Sequence, residues 1–249
     1  MNREYYLKYY GFEKNHWWFR ARAEILRAYI LRNWKSKPGS RILNVGAATG
    51  GSIEWLGKIA PVTSLEFDAE CVSFIKDTLK AEVIQGSILS LPFASNSFDL
   101  VVAFDVIEHV DDDVKALDEL ARVCSNGGTV LVTVPACMKL WSDHDIINEH
   151  KRRYDTGMLK AKLNGMYGGK LTFISYFNNH FYYPILVARK VKNFISRILK
   201  NTPRSDFETF KTGWLNGLFF LVMSREKERI ARRRAFGKGT SILAHWKKD

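Results

Sequence analysis

The first regular pattern of apolar and polar positions lies in residues 16–34. Apolar residues recur there at helical spacing, so that Ile25, Leu26 and Tyr29 can share one face of a helix. Arginines are distributed around that face, and the segment Lys37-Pro38-Gly39-Ser40 is typical of the end of such an element. The pattern therefore predicts an amphipathic helix over residues 16–34.

Between residues 41 and 135, short apolar runs alternate with helical segments. The run Phe98–Phe104 is apolar almost throughout, which is typical of a parallel strand buried on both faces. The alternation predicts an α/β fold with a Rossmann-like, doubly wound, mostly parallel sheet. The predicted strands are 41–45, 62–67, 82–85, 98–104 and 129–134, and the predicted helices are 52–59, 69–79 and 111–123.

Beyond Pro135 the pattern is less regular. It predicts helices at 154–163, 181–199 and 210–234, strands at 170–177 and 240–246, and a loop at 200–205. We therefore expect a helical N-terminal extension at 1–39, an α/β core at 40–135, and a region at 136–249 that completes the sheet and caps the substrate side with basic helices.

The net charge of +12 is unevenly distributed along the chain. Residues 1–35 carry +5, residues 36–138 carry −7, and residues 139–249 carry +14. Two interpretations remain open. The basic ends are either a solvated surface or a surface that attracts an anionic partner, such as a phosphorylated or lipid-linked substrate, a membrane or a nucleic acid.

Three features of the sequence bear on its compartment. The N-terminus lacks the apolar stretch of a signal peptide, and no stretch reaches the 18 apolar residues of a membrane span. The three cysteines are widely spaced, which is typical of reduced thiols. We therefore expect a cytoplasmic protein, with peripheral contact to a membrane as the alternative.

A turn rich in small residues, Asn44–Gly51, follows the first predicted strand. Glycines let the chain turn tightly and let a ligand approach the backbone, and the next helix offers unpaired N–H groups. Glu66 ends the following strand at a spacing suited to ribose hydroxyls. The pattern indicates a nucleotide cofactor. By itself it does not separate a methyltransferase from a nicotinamide dehydrogenase, or from a tight turn without a ligand.

Further motifs follow this turn in order along residues 40–135. They are Val62–Asp68, Gly86–Phe93, Ser97–Val110 and Leu120–Pro135. Together with the turn, this run resembles class I S-adenosylmethionine-dependent methyltransferases with a type 11-like domain. The resemblance implies S-adenosylmethionine as the cofactor. The residues it assigns to cofactor binding are Asn44, Gly46, Ala48, Gly50, Glu66, Phe67, Ser87, Ile88, Asp105 and Val106.

The flanking segments are similar to signatures of a bacterial group that contains the sequence HWWFRAR. They are His16–Arg22, Leu140–Asp145 and His150–Tyr154. The resemblance implies O-methylation of a small-molecule, glycan or lipid-linked acceptor. The candidates for substrate binding are Trp17, Trp18, Arg152, Arg153 and Tyr154.

Two positions depart from the family pattern. Asn44 stands where the family usually has Asp or Glu. Ser87 stands where the family often has Asp. A non-catalytic protein with the cofactor fold is therefore an alternative function. An RNA methyltransferase is the second alternative, because the region after residue 138 is strongly basic.

Methyl transfer from a sulfonium requires alignment of the reactants and, for a hydroxyl acceptor, removal of a proton. The candidate bases are His109, His144 and His150, because a neutral imidazole can accept a proton near pH 7. Capping of the following helix would equally explain Glu108 and His109. By analogy with ubiquinone-type O-methyltransferases, Asp105, Glu108 and His109 could together bind a divalent metal ion. The spacing is compatible with metal but not diagnostic, and we expect none.

Overall fold

The computed structural model describes residues 3–199 and 213–249. The predicted loop at 200–205 and the first residues of the predicted helix at 210–234 lie outside this part of the chain. Seven strands form one sheet in the order β3-β2-β1-β4-β5-β7-β6. They are β1 (Ile42–Val45), β2 (Val62–Glu66), β3 (Ile84–Gln85), β4 (Phe98–Phe104), β5 (Cys124–Pro135), β6 (Gly169–Phe177) and β7 (Ser241–Lys248).

The sheet is mostly parallel. Strands β1 to β5 pair in parallel, whereas β7 runs antiparallel to both of its neighbours, β5 and β6. This arrangement confirms the predicted Rossmann-like fold. It differs from the fully parallel order of dinucleotide-binding sheets, because an antiparallel strand separates β5 from β6.

Ten α-helices surround the sheet in the described residues. They are α1 (Arg3–Asn15), α2 (Trp17–Asn33), α3 (Ile53–Gly57), α4 (Ala69–Phe74), α5 (Asp113–Val123), α6 (Asp143–Ile147), α7 (Thr156–Gly165), α8 (Tyr182–Leu199), α9 (Leu215–Ser224) and α10 (Glu226–Ala231). A π-helical turn extends α4 through Ile75–Leu79, and 3-10 turns lie at Ile107–His109 and Met138–Leu140.

Two helical regions differ from the sequence predictions. A helical extension was expected at 1–39, but no helix was predicted before residue 16, where the structure has α1. The rings of Tyr6 and Tyr10 on α1 lie 6.3 and 5.8 Å from that of Phe74. The single helix predicted at 210–234 is two helices. Buried Glu226 begins the second one, and its carboxylate accepts from the backbone N–H of Asn179 at 2.8 Å.

The core lies on both faces of the sheet. Alternate residues of β4 point to opposite faces: Val101 packs with helices α5 and α7 on one face, and Val102 packs with α2 and the C-terminal helices on the other. Both side chains are fully buried. Because β1, β2 and β4 are parallel, their carboxyl ends meet at one edge of the sheet, and predicted cofactor residues lie there.

Candidate functional site

The carboxylate of Glu66 connects the end of β2 to the small-residue turn. Its Oε2 accepts from the backbone N–H of Ala48 at 2.7 Å, and its Oε1 accepts from those of Phe67 and Asp68 at 2.8 and 3.0 Å. Burial raises the pKa of Glu66, and these three backbone N–H groups oppose that shift. The result is a fixed carboxylate at the sheet edge, in the place predicted for the acid that binds ribose.

The turn itself requires small residues. Gly46 and Gly50 adopt φ angles of +75° and +93°, and Ala48 adopts +48°. A Cβ atom at Gly46 would lie 2.4 Å from the side chain of Val106. The absence of that atom therefore lets the turn after β1 touch the segment after β4, which brings two predicted cofactor segments together.

Asn44 is buried at the base of the turn. Its side-chain nitrogen donates to the Ser52 hydroxyl at 3.0 Å and to the Ser64 hydroxyl at 3.4 Å. The amide therefore connects β1 to the residue that caps α3 and to the neighbouring strand β2, where an acid could only accept hydrogen bonds.

A second carboxylate reaches the turn from an unpredicted direction. Glu13 of α1 accepts hydrogen bonds from the Thr49 hydroxyl and, at 3.1 Å, from the backbone N–H of Gly51. Burial raises the pKa of Glu13, and its hydrogen bonds to Thr49 and Gly51 oppose the shift. Sequence reasoning missed Glu13, since its position depends on the packing of α1.

The remaining cofactor candidates occupy different environments. Phe67 is 74% exposed beside Glu66, whereas Ile88 is buried in the core and Val106 packs against that core. The Ser87 hydroxyl accepts from the backbone N–H of Leu89 at 3.2 Å, which shapes its loop. Cofactor roles for these four residues stay predictions.

Asp105 lies at the end of β4 with a positive φ of 56°. Arg22 of α2 forms an ion pair with its Oδ2 at 2.5 Å, and the Thr133 hydroxyl donates to its Oδ1 at 3.2 Å. The Arg22 guanidinium also lies over the ring of Trp18, 5.3 Å from its centre. Arg22 thus places the HWWFRAR segment at the sheet edge, although sequence reasoning assigned it no role.

The three candidate bases lie close together. The ring centres of His109 and His150 are 4.8 Å apart, and those of His144 and His150 are 6.2 Å apart. Protein atoms packed around the His109 nitrogens and the adjacent His150 lower the pKa of His109 to about 4, although part of its ring is open to solvent. His109 is therefore neutral at pH 7, with a lone pair on one ring nitrogen, and is a weaker base than a free imidazole.

Buried Asp145 orients one histidine of this cluster, His150. It accepts from Nδ1 of His150 at 2.9 Å and from Nε of Arg153 at 2.7 Å. Burial opposes ionisation of Asp145, but the His150 hydrogen bond and the Arg153 charge outweigh it and hold its pKa below the usual range. Sequence analysis quoted Asp145 within a motif without assigning it this function.

The structure gives most substrate-binding candidates a partner within the protein. Trp17 is buried against the rings of Phe181 and Phe219, and Arg153 is 3% exposed. Tyr154 is also buried and donates to Asp113 at 2.7 Å, while Arg152 forms an ion pair with the same carboxylate at 3.1 Å. Trp18 is half-buried beside Arg22. The contacts described here are all within the protein, so the substrate roles of these five residues stay predictions.

Known proteins share this core. A family model described as a methyltransferase domain matches residues 43–132. A demethylmenaquinone methyltransferase of Renibacterium salmoninarum is 35% identical over 103 residues, which are 38% of this chain and 41% of that protein. A phosphatidylethanolamine N-methyltransferase of Cereibacter sphaeroides is 30% identical over 101 residues, 38% of this chain and 50% of that protein.

A solved structure extends the likeness to the fold as a whole. It is a SAM-dependent methyltransferase of Archaeoglobus fulgidus, 18% identical with a TM-score of 0.53, and the match covers 91% of this chain and 94% of that one. At this identity the likeness concerns the fold alone. The first curated relatives are matched over only 35–48% of their own length.

Proposed function

We propose that this chain, whose residues 43–132 match the family model of a methyltransferase domain, uses S-adenosylmethionine to O-methylate a small-molecule, glycan or lipid-linked acceptor. The observation that carries the proposal is the buried carboxylate of Glu66, which hydrogen bonds to the turn at Ala48. An acid fixed at this sheet edge suits the ribose hydroxyls of a nucleoside cofactor.

The donors and acceptors at the sheet edge fit S-adenosylmethionine. Glu66 would accept from the ribose hydroxyls, and Glu13 would face the cationic amino group of the methionine end. Glu13 would thereby supply the charge that the family motif usually has at Asn44. The bound cofactor supplies a methyl group already activated on a sulfonium, so the protein's own task is alignment of the acceptor and removal of its proton.

The histidine cluster of His109, His144 and His150 contains the candidate acceptors of that proton. An acceptor hydroxyl loses its proton as its oxygen is methylated, and His109, His144 and His150 lie together beyond the end of β4. At pH 7 the imidazole of His109 is neutral, because its pKa is lowered to about 4, so a ring nitrogen has its lone pair available, while the same shift makes this ring a weaker base than a free imidazole. Proton removal at this cluster is what favours a hydroxyl over other acceptors.

Two features favour a lipid-linked acceptor among the three classes. The relatives include proteins named for phosphatidylethanolamine and for demethylmenaquinone, which are both lipids. In this chain, helices α8 and α9 expose apolar side chains, among them Val187 and Leu221 at 60% each, and Trp214, directly before α9, is 86% exposed. An apolar surface of this kind suits an acceptor that lies in a membrane.

We also propose membership of the bacterial HWWFRAR group. Its signature residues have defined contacts here: His16 accepts from the Trp18 backbone N–H at 3.3 Å, and Arg22 pairs with Asp105. Arg153 of the third signature segment pairs with Asp145. The pair of Arg153 and Asp145 joins the second and third signature segments, which supports a shared structural role for these two segments.

Calorimetry with S-adenosylhomocysteine tests the cofactor site. Glu66→Gln should weaken binding about tenfold to 100-fold, because charged hydrogen bonds contribute about 1.5–3 kcal/mol. Glu13→Gln should weaken binding by a factor in the same range, because it removes the charge that would face the cationic amino group. The exposed acids Glu82 and Glu54 provide matched controls, since Glu82→Gln and Glu54→Gln should bind as the natural protein does. No detectable binding by the natural protein at millimolar cofactor would reject the proposal.

A second experiment identifies the acceptor. The protein and methyl-labelled S-adenosylmethionine are added to a cell extract, and the labelled product is analysed by mass spectrometry. We expect a labelled ether or ester in the lipid-soluble fraction. His109→Ala and His144→Ala, assayed at equal cofactor occupancy, should each lower turnover, and unchanged turnover in both variants would refute a role of the histidine cluster in proton removal.

A further inference from the structure

Three potential metal ligands meet beyond the carboxyl end of β4. One ligand atom from each of Glu108, His109 and His150 lies within 4.8 Å of the other two. Glu108 and His109 belong to the 3-10 turn that follows β4, and His150 lies in the loop after α6. The backbone N–H of Lys151 donates to the carbonyl oxygen of Glu108 at 2.8 Å, which holds the two segments together.

Glu108 lacks the partners that a buried carboxylate requires. Its side chain is fully buried, and neither carboxylate oxygen has a hydrogen-bond partner among the residues that the structure describes. An isolated buried charge is costly, and an orphaned buried polar group in a native protein often marks an ion. One Glu108 oxygen nevertheless lies within 4.8 Å of a ring nitrogen of His109 and of a ring nitrogen of His150.

The second histidine is oriented as a metal-binding histidine would be. Nδ1 of His150 donates to buried Asp145 at 2.9 Å, so the lone pair of the neutral ring is on Nε2. A carboxylate that accepts from the non-ligating nitrogen is the usual outer partner of a histidine bound to metal. Asp145 is itself fixed by Arg153 at 2.7 Å.

Asp105 is not a member of this group. Its carboxylate is engaged by Arg22 and Thr133, so the set of Asp105, Glu108 and His109 considered from the sequence is replaced by one that contains His150. The change matters chemically. Two imidazoles and one carboxylate suit divalent first-row transition metals, whereas Mg²⁺ and Ca²⁺ prefer oxygen ligands.

We propose that Glu108, His109 and His150 bind one divalent first-row transition metal ion, with Asp145 as the positioning residue for His150. This contradicts our expectation from the sequence that the chain binds no metal. The chemical role of the ion rests on the proposed function: the ion would lie where the acceptor hydroxyl is expected and would make that hydroxyl more acidic. His144 is then the imidazole of the cluster that remains outside the ligand set and can take the proton.

Titration of the untagged, chelator-treated protein with Co²⁺ tests the proposal in the absence of cofactor. We expect one Co²⁺ per chain, with visible absorption bands that Zn²⁺ displaces and that millimolar Mg²⁺ or Ca²⁺ does not. Glu108→Gln, which keeps the shape of the buried side chain, and His150→Gln should each weaken Co²⁺ binding at least 100-fold. His109→Ala should do the same, and its partly exposed position makes it the variant safest for folding.

His144→Ala is the matched control. Its ring centre lies 6.2 Å from that of His150, but it is outside the ligand set, so this variant should bind Co²⁺ like the natural protein while its turnover falls. Circular dichroism of each metal-free variant shows whether it is folded. Absence of Co²⁺ bands at millimolar metal would overturn the proposal, as would equal binding by folded His109→Ala and the natural protein. Calorimetry with S-adenosylhomocysteine on chelator-treated protein tests the cofactor proposal separately.

Discussion

Ala48 illustrates what a single residue contributes to the turn. It occupies the middle glycine position of the family motif and adopts a φ of 48°, in the left-handed region that is unfavourable for a residue with a Cβ atom. The backbone N–H of Ala48 holds Glu66 in place, so the strain lies within the candidate cofactor site.

Ala48→Gly should therefore stabilise the protein by about 0.5–1 kcal/mol, because relief of the left-handed strain exceeds the added freedom of the unfolded chain. Urea unfolding measures the change. Ala47 is the matched control: it is buried, and its φ is not positive, so Ala47→Gly should destabilise the protein by about 1 kcal/mol. Destabilisation by Ala48→Gly would show that the turn is not strained in solution.

His245 makes the stability of the fold depend on pH. It is 2% exposed on β7, and Nδ1 lies 2.8 Å from the Tyr29 hydroxyl and 3.0 Å from the Arg233 guanidinium. Burial, together with the charges of Arg233 and Lys247, lowers the pKa of His245 to about 3. The folded state thus keeps the ring neutral, whereas the unfolded state protonates it near pH 6.5.

Because the unfolded state binds the extra proton, the free energy of unfolding should fall as the pH drops below about 6.5. The contribution of His245 approaches about 1.4 kcal/mol per pH unit toward pH 4. Urea unfolding between pH 7.5 and 4.5 measures this slope. His245→Gln should flatten it, whereas His180→Gln, at a histidine that is 43% exposed, serves as the control for loss of an imidazole. An unchanged slope in His245→Gln would contradict the argument.

At the scale of elements, the ion pair between Arg22 and Asp105 fastens α2 to the end of β4. The two side chains are only 15% and 23% exposed, so their interaction is weakly screened. The same guanidinium donates to Thr133 on β5 at 3.1 Å. Helix α2 therefore contacts the edge of the sheet where the cofactor is expected.

A double-mutant cycle with Arg22→Met and Asp105→Asn should give a coupling energy of about 1–3 kcal/mol in urea unfolding. The reference is the surface pair of Lys14 and Glu54, whose side chains are 39% and 59% exposed and whose coupling should stay below about 1 kcal/mol. Equal coupling for the two pairs would show that Arg22 does not fasten α2 to β4.

Element prediction from the sequence succeeded where one strong local pattern decides the outcome. The bounds of β4 were predicted to the residue, because a strand buried on both faces is apolar almost throughout. Helix α5 was predicted two residues too early, since Asp112 caps it by accepting from the Lys115 N–H at 2.9 Å. Helix α1 was missed, because its tyrosines become a buried face only against Phe74 of α4.

At the scale of the whole molecule, positive charge and exposed apolar side chains occur in the same region of the chain, residues 139–249. The ring of Phe181, directly before α8, lies 5.2 Å from that of Phe219 on α9. Tyr183 on α8, Leu218 on α9 and Trp214, directly before α9, are 57%, 49% and 86% exposed. The surrounding region, residues 139–249, carries a net charge of +14. Among helices in residues 3–199 and 213–249, none is long and apolar enough to cross a membrane.

We therefore expect the protein to bind vesicles that contain anionic phospholipid more tightly than vesicles of phosphatidylcholine, with an affinity that falls as salt is added. Trp214→Ser should weaken the binding about threefold to tenfold in a flotation assay, because it removes apolar area from the contact. Tyr167→Ser is the matched control, since Tyr167 is 91% exposed in the loop before β6. Preference for RNA over anionic vesicles would favour the nucleic-acid alternative instead.

The sequence by itself determined the α/β class, the succession of core strands along the chain and the position of the small-residue turn, because each depends on a periodicity or spacing within a short stretch of chain. The tertiary structure alone brought Glu13 to that turn, Arg22 to Asp105, and His150 to Glu108 and His109. These contacts join residues from separate elements, and no local pattern encodes the packing of α1, α2 and the segment after β5 against one edge of the sheet. The turn from which a nucleotide cofactor was first inferred is therefore only part of the site.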